Sequence, residues 1–146
     1  MIQGVHHTCI TVSDMQQSIV FYRDLLGLEL VMIEESERSG DDRSEGLGVP
    51  KAKVKLAILR TADAQIELIE YVTAQGRPYD RCNNDVGAMH IAFQVDDVDA
   101  VYQRLLDHGV RFTAPPATIP AGPMAGWRWT YLFDPDGVSL EILQTG

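Results

Sequence analysis

The sequence predicts an α+β fold made of two tandem βαβββ modules, and three observations predict it. The segment His7-Thr-Cys-Ile-Thr-Val-Ser-Asp14 aligns with His90-Ile-Ala-Phe-Gln-Val-Asp-Asp97, each reading His, four residues, Val, one residue, Asp. Each copy runs into an amphipathic helical segment that ends at a glycine, Gly27 or Gly109. Later, Ile66-Glu67-Leu68-Ile69 aligns with Leu140-Glu141-Ile142-Leu143. His7 to Glu67 spans 60 positions and His90 to Glu141 spans 51, and the long Glu34–Pro50 loop accommodates the extra nine.

Taken in order, Val5 to Val12 is rich in Thr, Ile and Val and reads as a strand. Ser13 is placed to cap a helix, with Gln16 as its capping-box partner, and Ile19, Phe21, Tyr22, Leu25 and Leu26 recur at helical spacing. Leu28 to Ile33, Val54 to Leu59 and Gln65 to Val72 complete a first set of four strands, interrupted by the polar Glu34–Pro50 loop. Residues 73–86 carry Gly, Pro, Asn and Asp and read as a linker. Ala88 to Val95 opens the second set. Asp96 or Asp97 caps a helix with apolar Val98, Val101, Leu105 and Leu106, and Val110 to Thr113 is a short strand stopped by Pro115-Pro116. Trp127 to Phe133 and Val138 to Leu143 form a hairpin about the turn Asp134-Pro135-Asp136-Gly137. The organisation is therefore one domain over 1–146, with module one at about 3–72 and module two at about 87–145.

Composition narrows the function classes. With 21 acidic against 12 basic residues the net charge is −9, which repels nucleic acid and anionic lipid, and no Lys/Arg cluster offsets it. No apolar run reaches the roughly 20 residues that a membrane helix needs. The start, Met1-Ile2-Gln3-Gly4, lacks a basic, apolar leader, and two cysteines, Cys9 and Cys82, suit a reducing compartment. The expectation is a cytoplasmic protein that binds neither nucleic acid nor membrane.

Strand parity then selects the functional residues. Side chains alternate across a strand, so Thr8, Ile10 and Val12 share one face and His7, Cys9 and Thr11 the other. In the repeat, Ile91, Phe93 and Val95 oppose His90, Ala92 and Gln94. Glu67 is out of phase with Ile66 and Leu68, and Glu141 with Leu140 and Ile142. The apolar faces should pack on the helices and leave the His and Glu faces lining a cleft. A carboxylate directed into such an interior is unfavourable unless paired or bound to a cation. Two imidazoles and two carboxylates at matching positions suit a divalent ion, so His7, Glu67, His90 and Glu141 are the expected metal ligands. A lone strand histidine is more often a structural residue; four residues in register reverse that expectation. His6 and His108 lie outside the register and read as surface residues, and Glu70 as a solvated strand-end carboxylate. The donor set accommodates Zn, Ni, Co, Mn or Fe.

The paired modules, the segment Phe21-Tyr22-Arg23-Asp24-Leu25-Leu26-Gly27-Leu28 and the four His and Glu positions resemble the vicinal oxygen chelate superfamily, which includes glyoxalase I, methylmalonyl-CoA epimerase, extradiol dioxygenases and fosfomycin- and bleomycin-resistance proteins. The similarity covers nearly the whole chain apart from the long loop and the linker. It implies a half-open eight-stranded mixed sheet around a metal cleft, one divalent metal, a small-molecule substrate and a homodimer.

Four protein ligands resemble the lyases and isomerases of that group more than the ring-cleaving dioxygenases or the ligand-free antibiotic binders. Bacterial glyoxalase I carries Arg where Thr11 stands and Asn where Tyr71 stands. The Gly87–Val98 segment, Ile66–Glu70 and His108–Arg111 look more like methylmalonyl-CoA epimerase, although Phe133–Gly137 stands where those enzymes carry His-Pro-Lys. The implied activity is proton movement next to a carbonyl through a metal-bound enediolate, on an acyl-CoA or another carbonyl metabolite. Glu141 and Glu67 are the candidate bases, with Glu45 of the loop a third by its similarity to the loop Glu of the epimerases. Arg43, Arg60 and Arg128 are candidates to hold a substrate carboxylate or phosphate, against the commoner solvated surface role. Trp127, Trp129 and Tyr131 alternate on one strand as an aromatic face that suits a cleft wall or a dimer interface equally. An extradiol-type dioxygenase or an antibiotic-binding resistance protein is the alternative.

Overall fold

The computed structural model describes residues 1–36 and 45–146, with the Ser36 side chain left out. The chain divides into two compact units, Met1–Pro78 and Tyr79–Gly146.

The first unit opens with β1 (Thr8–Val12), whose Ile10 and Val12 are buried while Cys9 and Thr11 are not. A helix follows, α1 (Met15–Ile19), which continues as a π-helical segment over Val20–Leu25. Asp14, not Ser13, is the N-cap, and its side chain accepts the Gln17 backbone N–H at 2.9 Å. A carboxylate is the stronger acceptor for an N–H at the positive end of a helix, which shifts the cap one residue from the expected box. The wider π turn, with the Leu26 N–H on the Phe21 carbonyl at 3.0 Å, lets the adjacent Phe21 and Tyr22 both be buried and meet edge to face. Gly27 then ends the segment at φ +82°, a conformation that favours glycine.

Strands β2 (Glu29–Ser36), β3 (Val54–Arg60) and β4 (Gln65–Tyr71) complete the unit in the order β1-β4-β3-β2. β1 pairs with β4 in parallel, Thr8 opposite Ile66 and Cys9 opposite Glu67, and the other pairs are antiparallel. Ile66, Leu68, Ala57 and Leu59 are buried on the same face as Ile10 and Val12.

The second unit repeats this plan. β5 (Ile91–Gln94) pairs in parallel with β9 (Ser139–Gln144), with Ala92 opposite Glu141. Between them lie α2 (Val98–Asp107), β6 (Arg111–Phe112), β7 (Ala117–Thr118) and β8 (Arg128–Phe133). Asp97 caps α2, accepting the Ala100 N–H at 2.9 Å, so the cap again falls on the aspartate of the repeated motif. Sequence reading missed β7. Pro115-Pro116 breaks the edge strand, yet β6 and β7 both pair antiparallel with β8, on either side of the break. The Thr130 hydroxyl donates to the Ala114 carbonyl at 2.6 Å between them. The turn after β8 is closed by Asp134, whose carboxylate accepts the N–H groups of Asp136 and Val138. The described strands thus form two mixed sheets of four and five strands, the fifth being the two-residue β7.

One contact repeats in both units. The Glu70 carboxylate accepts the Met15 N–H at 2.8 Å, and the Gln144 carboxamide oxygen accepts the Val98 N–H at 3.0 Å. Each ties the first residue of the helix to the strand that carries the candidate glutamate. Glu70 is therefore a half-buried helix-capping group, not the solvated carboxylate that the sequence suggested. Among the described residues no helix is long and apolar enough to cross a membrane.

Candidate metal centre

Each unit brings one histidine and one glutamate of the repeat together. His7 immediately precedes β1 and Glu67 lies in the middle of the adjoining β4; His7 Nε2 is 3.9 Å from Glu67 Oε1. His90 immediately precedes β5 and Glu141 lies in β9; His90 Nε2 is 3.1 Å from Glu141 Oε2. The histidine side chains are 37% and 44% exposed and the glutamates 22% and 13%, so each pair is reachable from solvent with its carboxylate the more sheltered partner. Parity works as expected: Glu67 and Glu141 are half-buried, while their neighbours Ile66, Leu68, Leu140 and Ile142 are buried on the opposite face.

The surroundings of the two pairs differ. In the first unit, Cys9 sits opposite Glu67 across the parallel ladder. Its thiol is pushed up to about 12, first by burial and then by the charge of Glu67 and a hydrogen bond with it. His6, read from sequence as a surface residue, is exposed but shares a 2.9 Å Nδ1···Nδ1 hydrogen bond with His7. That bond occupies His7 Nδ1 and leaves Nε2 as the nitrogen facing Glu67. In the second unit, Tyr131 lies opposite Glu141 in the β8–β9 ladder, and its ring meets His90 edge to face with centroids 5.1 Å apart. Trp129 continues the wall, 5.1 Å from Tyr131. Burial raises the Glu141 carboxyl above its ordinary value, and the charge of His90 and a hydrogen bond with it partly offset this. Tyr131 is raised too, by burial and then by Glu141. Strand parity already groups Tyr131 with Trp129 as an aromatic face; its place opposite Glu141 and against His90 comes from the structure.

Other expected site residues fall elsewhere. Arg128 makes a two-pronged ion pair with Asp99 of α2, with Nη2 to Oδ1 at 2.9 Å. It shares the face of Thr130 and Leu132, opposite that of Tyr131, so its guanidinium serves the strand–helix contact. Glu45 is exposed, and its carbonyl accepts the Gly48 N–H; nothing among the described residues joins its carboxylate to either pair. Arg43 lies outside the described residues. His108 is bonded through Nδ1 to the Arg104 carbonyl at the end of α2.

Within either unit, among the described residues, no three His, Cys, Asp or Glu side chains gather as ligands of one ion. Each unit supplies one imidazole nitrogen and one carboxylate, a borderline N/O pair of the kind that first-row divalent metals accept.

A family model described as Glyoxalase/Bleomycin resistance protein/Dioxygenase superfamily matches residues 4–142. The chain belongs to that superfamily. Among curated relatives, it is 37% identical over 143 residues to a 2-epi-5-epi-valiolone epimerase of Actinomyces sp, covering 96% of this chain and 78% of that protein. It is 31% identical over 144 residues to a lactoylglutathione lyase of Salmonella typhimurium, covering 94% and 90%. Among solved structures, a glyoxalase family protein from Bacillus cereus superposes with a TM-score of 0.84 at 21% identity, covering 99% of this chain and 95% of that one, which supports the fold.

Proposed function

We propose that the chain is a divalent-metal-dependent epimerase that removes and returns a proton at a carbon next to a ketone carbonyl. The observation that carries this reading is the 37% identity, over 96% of the chain, to an enzyme whose name denotes inversion at a stereocentre of a ketone. The paired geometry of His7 with Glu67 and of His90 with Glu141 supports it, because the reaction calls for metal ligands and for carboxylates able to carry a proton.

In this reading a pair of each kind, His7 with Glu67 and His90 with Glu141, holds one ion, with Zn, Ni, Co, Mn and Fe all compatible. Such an ion, when bound, supplies Lewis-acid polarisation of a carbonyl and so acidifies the neighbouring C–H. The residues do the rest. Glu141, sheltered by burial and by the Tyr131 ring, has raised proton affinity and is the first candidate base. His90 holds its carboxylate from one side. Glu67 is the second candidate carboxylate, and an epimerase calls for two proton-carrying groups, one to remove the proton and one to return it. Trp129 and Tyr131 exclude water and present an aromatic surface to the carbon skeleton. The working assembly is a homodimer in the cytoplasm, acting on a small molecule. A lyase of the lactoylglutathione type is the second reading, favoured by the 31% identity to such enzymes.

The test is deuterium exchange. The protein is incubated in D₂O with a polyhydroxylated cyclohexanone, methylmalonyl-CoA and a 2-oxo aldehyde–thiol adduct. Deuterium should enter the cyclohexanone beside its carbonyl, stop with EDTA, and fall about 10²-fold or more in Glu141→Gln. Exchange into the thiol adduct alone would establish the lyase instead. Oxygen uptake with catechols, or tight antibiotic binding without exchange, would replace both readings.

A further inference from the structure

Beside His7, wholly within the first unit, the β3–β4 turn and the start of β1 enclose an open pocket of about 530 Å³. Its polar lining comes from His6, His7, Arg60, Thr61, Asp63 and Gln65. The turn is pre-set by its own hydrogen bonds: Thr61 N–H to the Ala64 carbonyl at 2.9 Å, Ala64 N–H to the Thr61 hydroxyl oxygen at 3.0 Å, and that hydroxyl to Asp63 Oδ1 at 3.1 Å. These bonds engage one Asp63 oxygen and leave Oδ2 facing no protein donor among the described residues. The half-buried Gln65 carboxamide likewise makes no protein hydrogen bond among them. Arg60 gives Nε and Nη2 to Glu29 Oε2, at 3.3 and 2.8 Å, and keeps Nη1 for another partner.

Charge decides what such a pocket takes. Arg60 is the one Lys or Arg among the lining residues and is neutralised by Glu29, while Asp63 adds a negative charge. A phosphate or CoA moiety would meet a carboxylate and no uncompensated cation, on a chain of net charge −9. A free carboxylate oxygen, a carboxamide and the Nη1 N–H groups of a guanidinium instead offer both acceptors and donors, the complement of hydroxyl groups. The geometry points to a subsite for the hydroxyl groups of a neutral polyhydroxylated ketone, with Asp63, Gln65 and Arg60 as its hydrogen-bonding residues. The ketone rests on the epimerase reading; the hydroxyl recognition rests on the pocket alone. The subsite adjoins His7, so a ligand bound by its hydroxyls there is held next to a proposed metal ligand.

The test is binding by the metal-free full chain, followed by NMR and calorimetry with 2-keto-myo-inositol as the probe and acetyl-CoA as the anionic comparison. The wild type should bind the cyclohexanone with shifts at Asp63 and Gln65, and acetyl-CoA should leave those signals unmoved. Asp63→Ala should weaken binding about tenfold or more, as should Gln65→Leu, which guards against misfolding in either variant; Asp63→Asn should recover part of the loss. No binding by the wild type, unchanged binding in both variants, or acetyl-CoA displacing the probe would each overturn the subsite. Deuterium exchange by the wild type separates the two claims. Exchange with unchanged variant binding removes the subsite and keeps the epimerase; lost variant binding without exchange in any compound does the reverse.

Discussion

The Glu70 carboxylate accepts the backbone N–H of Met15 at 2.8 Å, so the strand that carries Glu67 also holds the first residue of α1. The side chain is 13% exposed and stands 3.8 Å from Lys55 Nζ, so replacing it strands a sheltered donor. Glu70→Ala should lower unfolding free energy by about 1–2 kcal/mol in urea melts. Glu70→Gln should retain most of it, because Gln144 does the same work for Val98 in the other unit. A loss equal in the two variants would show that charge, not the hydrogen bond, matters.

Metal removal should be visible in stability as well as in activity. Saturating the His7, Glu67, His90 and Glu141 set with ion at about 100 times its Kd should add about 2.7 kcal/mol, read as a rise in Tm over the EDTA-treated protein. Alanine at any one of the four should abolish most of that rise and lower metal content. Co, Ni, Mn or Zn should each restore exchange under anaerobic conditions. Full metal occupancy in both His90→Ala and Glu67→Ala would remove the site.

Both cysteines are exposed, so exposure alone predicts that both alkylate. The Cys9 thiol, pushed up to about 12 by burial and Glu67, should not. At pH 8 roughly one molecule in 10⁴ carries its thiolate, so iodoacetamide should label Cys82 and spare Cys9 in metal-free protein, by peptide mass analysis. Glu67→Gln should speed Cys9 labelling, though burial, the largest cause, stays. The sign for stability follows: the folded state holds this proton more tightly than an ordinary thiol at 9.0, so the contribution is full below that pH and is lost as pH rises toward 12.

Leu68 is fully buried next to Glu67 in sequence but on the other face of β4. Leu68→Ala should cost about 2–5 kcal/mol in denaturant melts while leaving the metal content of the folded protein unchanged. Val31→Ala, at a β2 residue 49% exposed, should stay within about 0.5 kcal/mol. A loss of metal in Leu68→Ala at full folding would mean that the two faces of the strand are coupled.

The sequence by itself determined the duplicated βαβββ plan, because alternation along a strand and the spacing of apolar residues along a helix are local properties. It also determined that His7 and Glu67, and His90 and Glu141, leave the apolar face, since parity needs only the residues of one strand. Element ends were less legible: the cap of α1 moved from Ser13 to Asp14, and β7 resumed past Pro115-Pro116, because partner strands and competing acceptors decide where a segment stops. Tertiary structure alone decided who stands beside whom. Cys9 flanks Glu67 through a parallel register that joins residues 58 positions apart, and Tyr131 stands opposite Glu141 through the register of the β8–β9 hairpin. Arg128, read as a substrate ligand, is taken by Asp99 of α2, and Glu70 and Gln144, read as strand-end polar residues or not singled out at all, cap the two helices. A side chain's partner depends on which backbone the packed core brings within about 3 Å of it. That distance is set between elements, and no single segment encodes it.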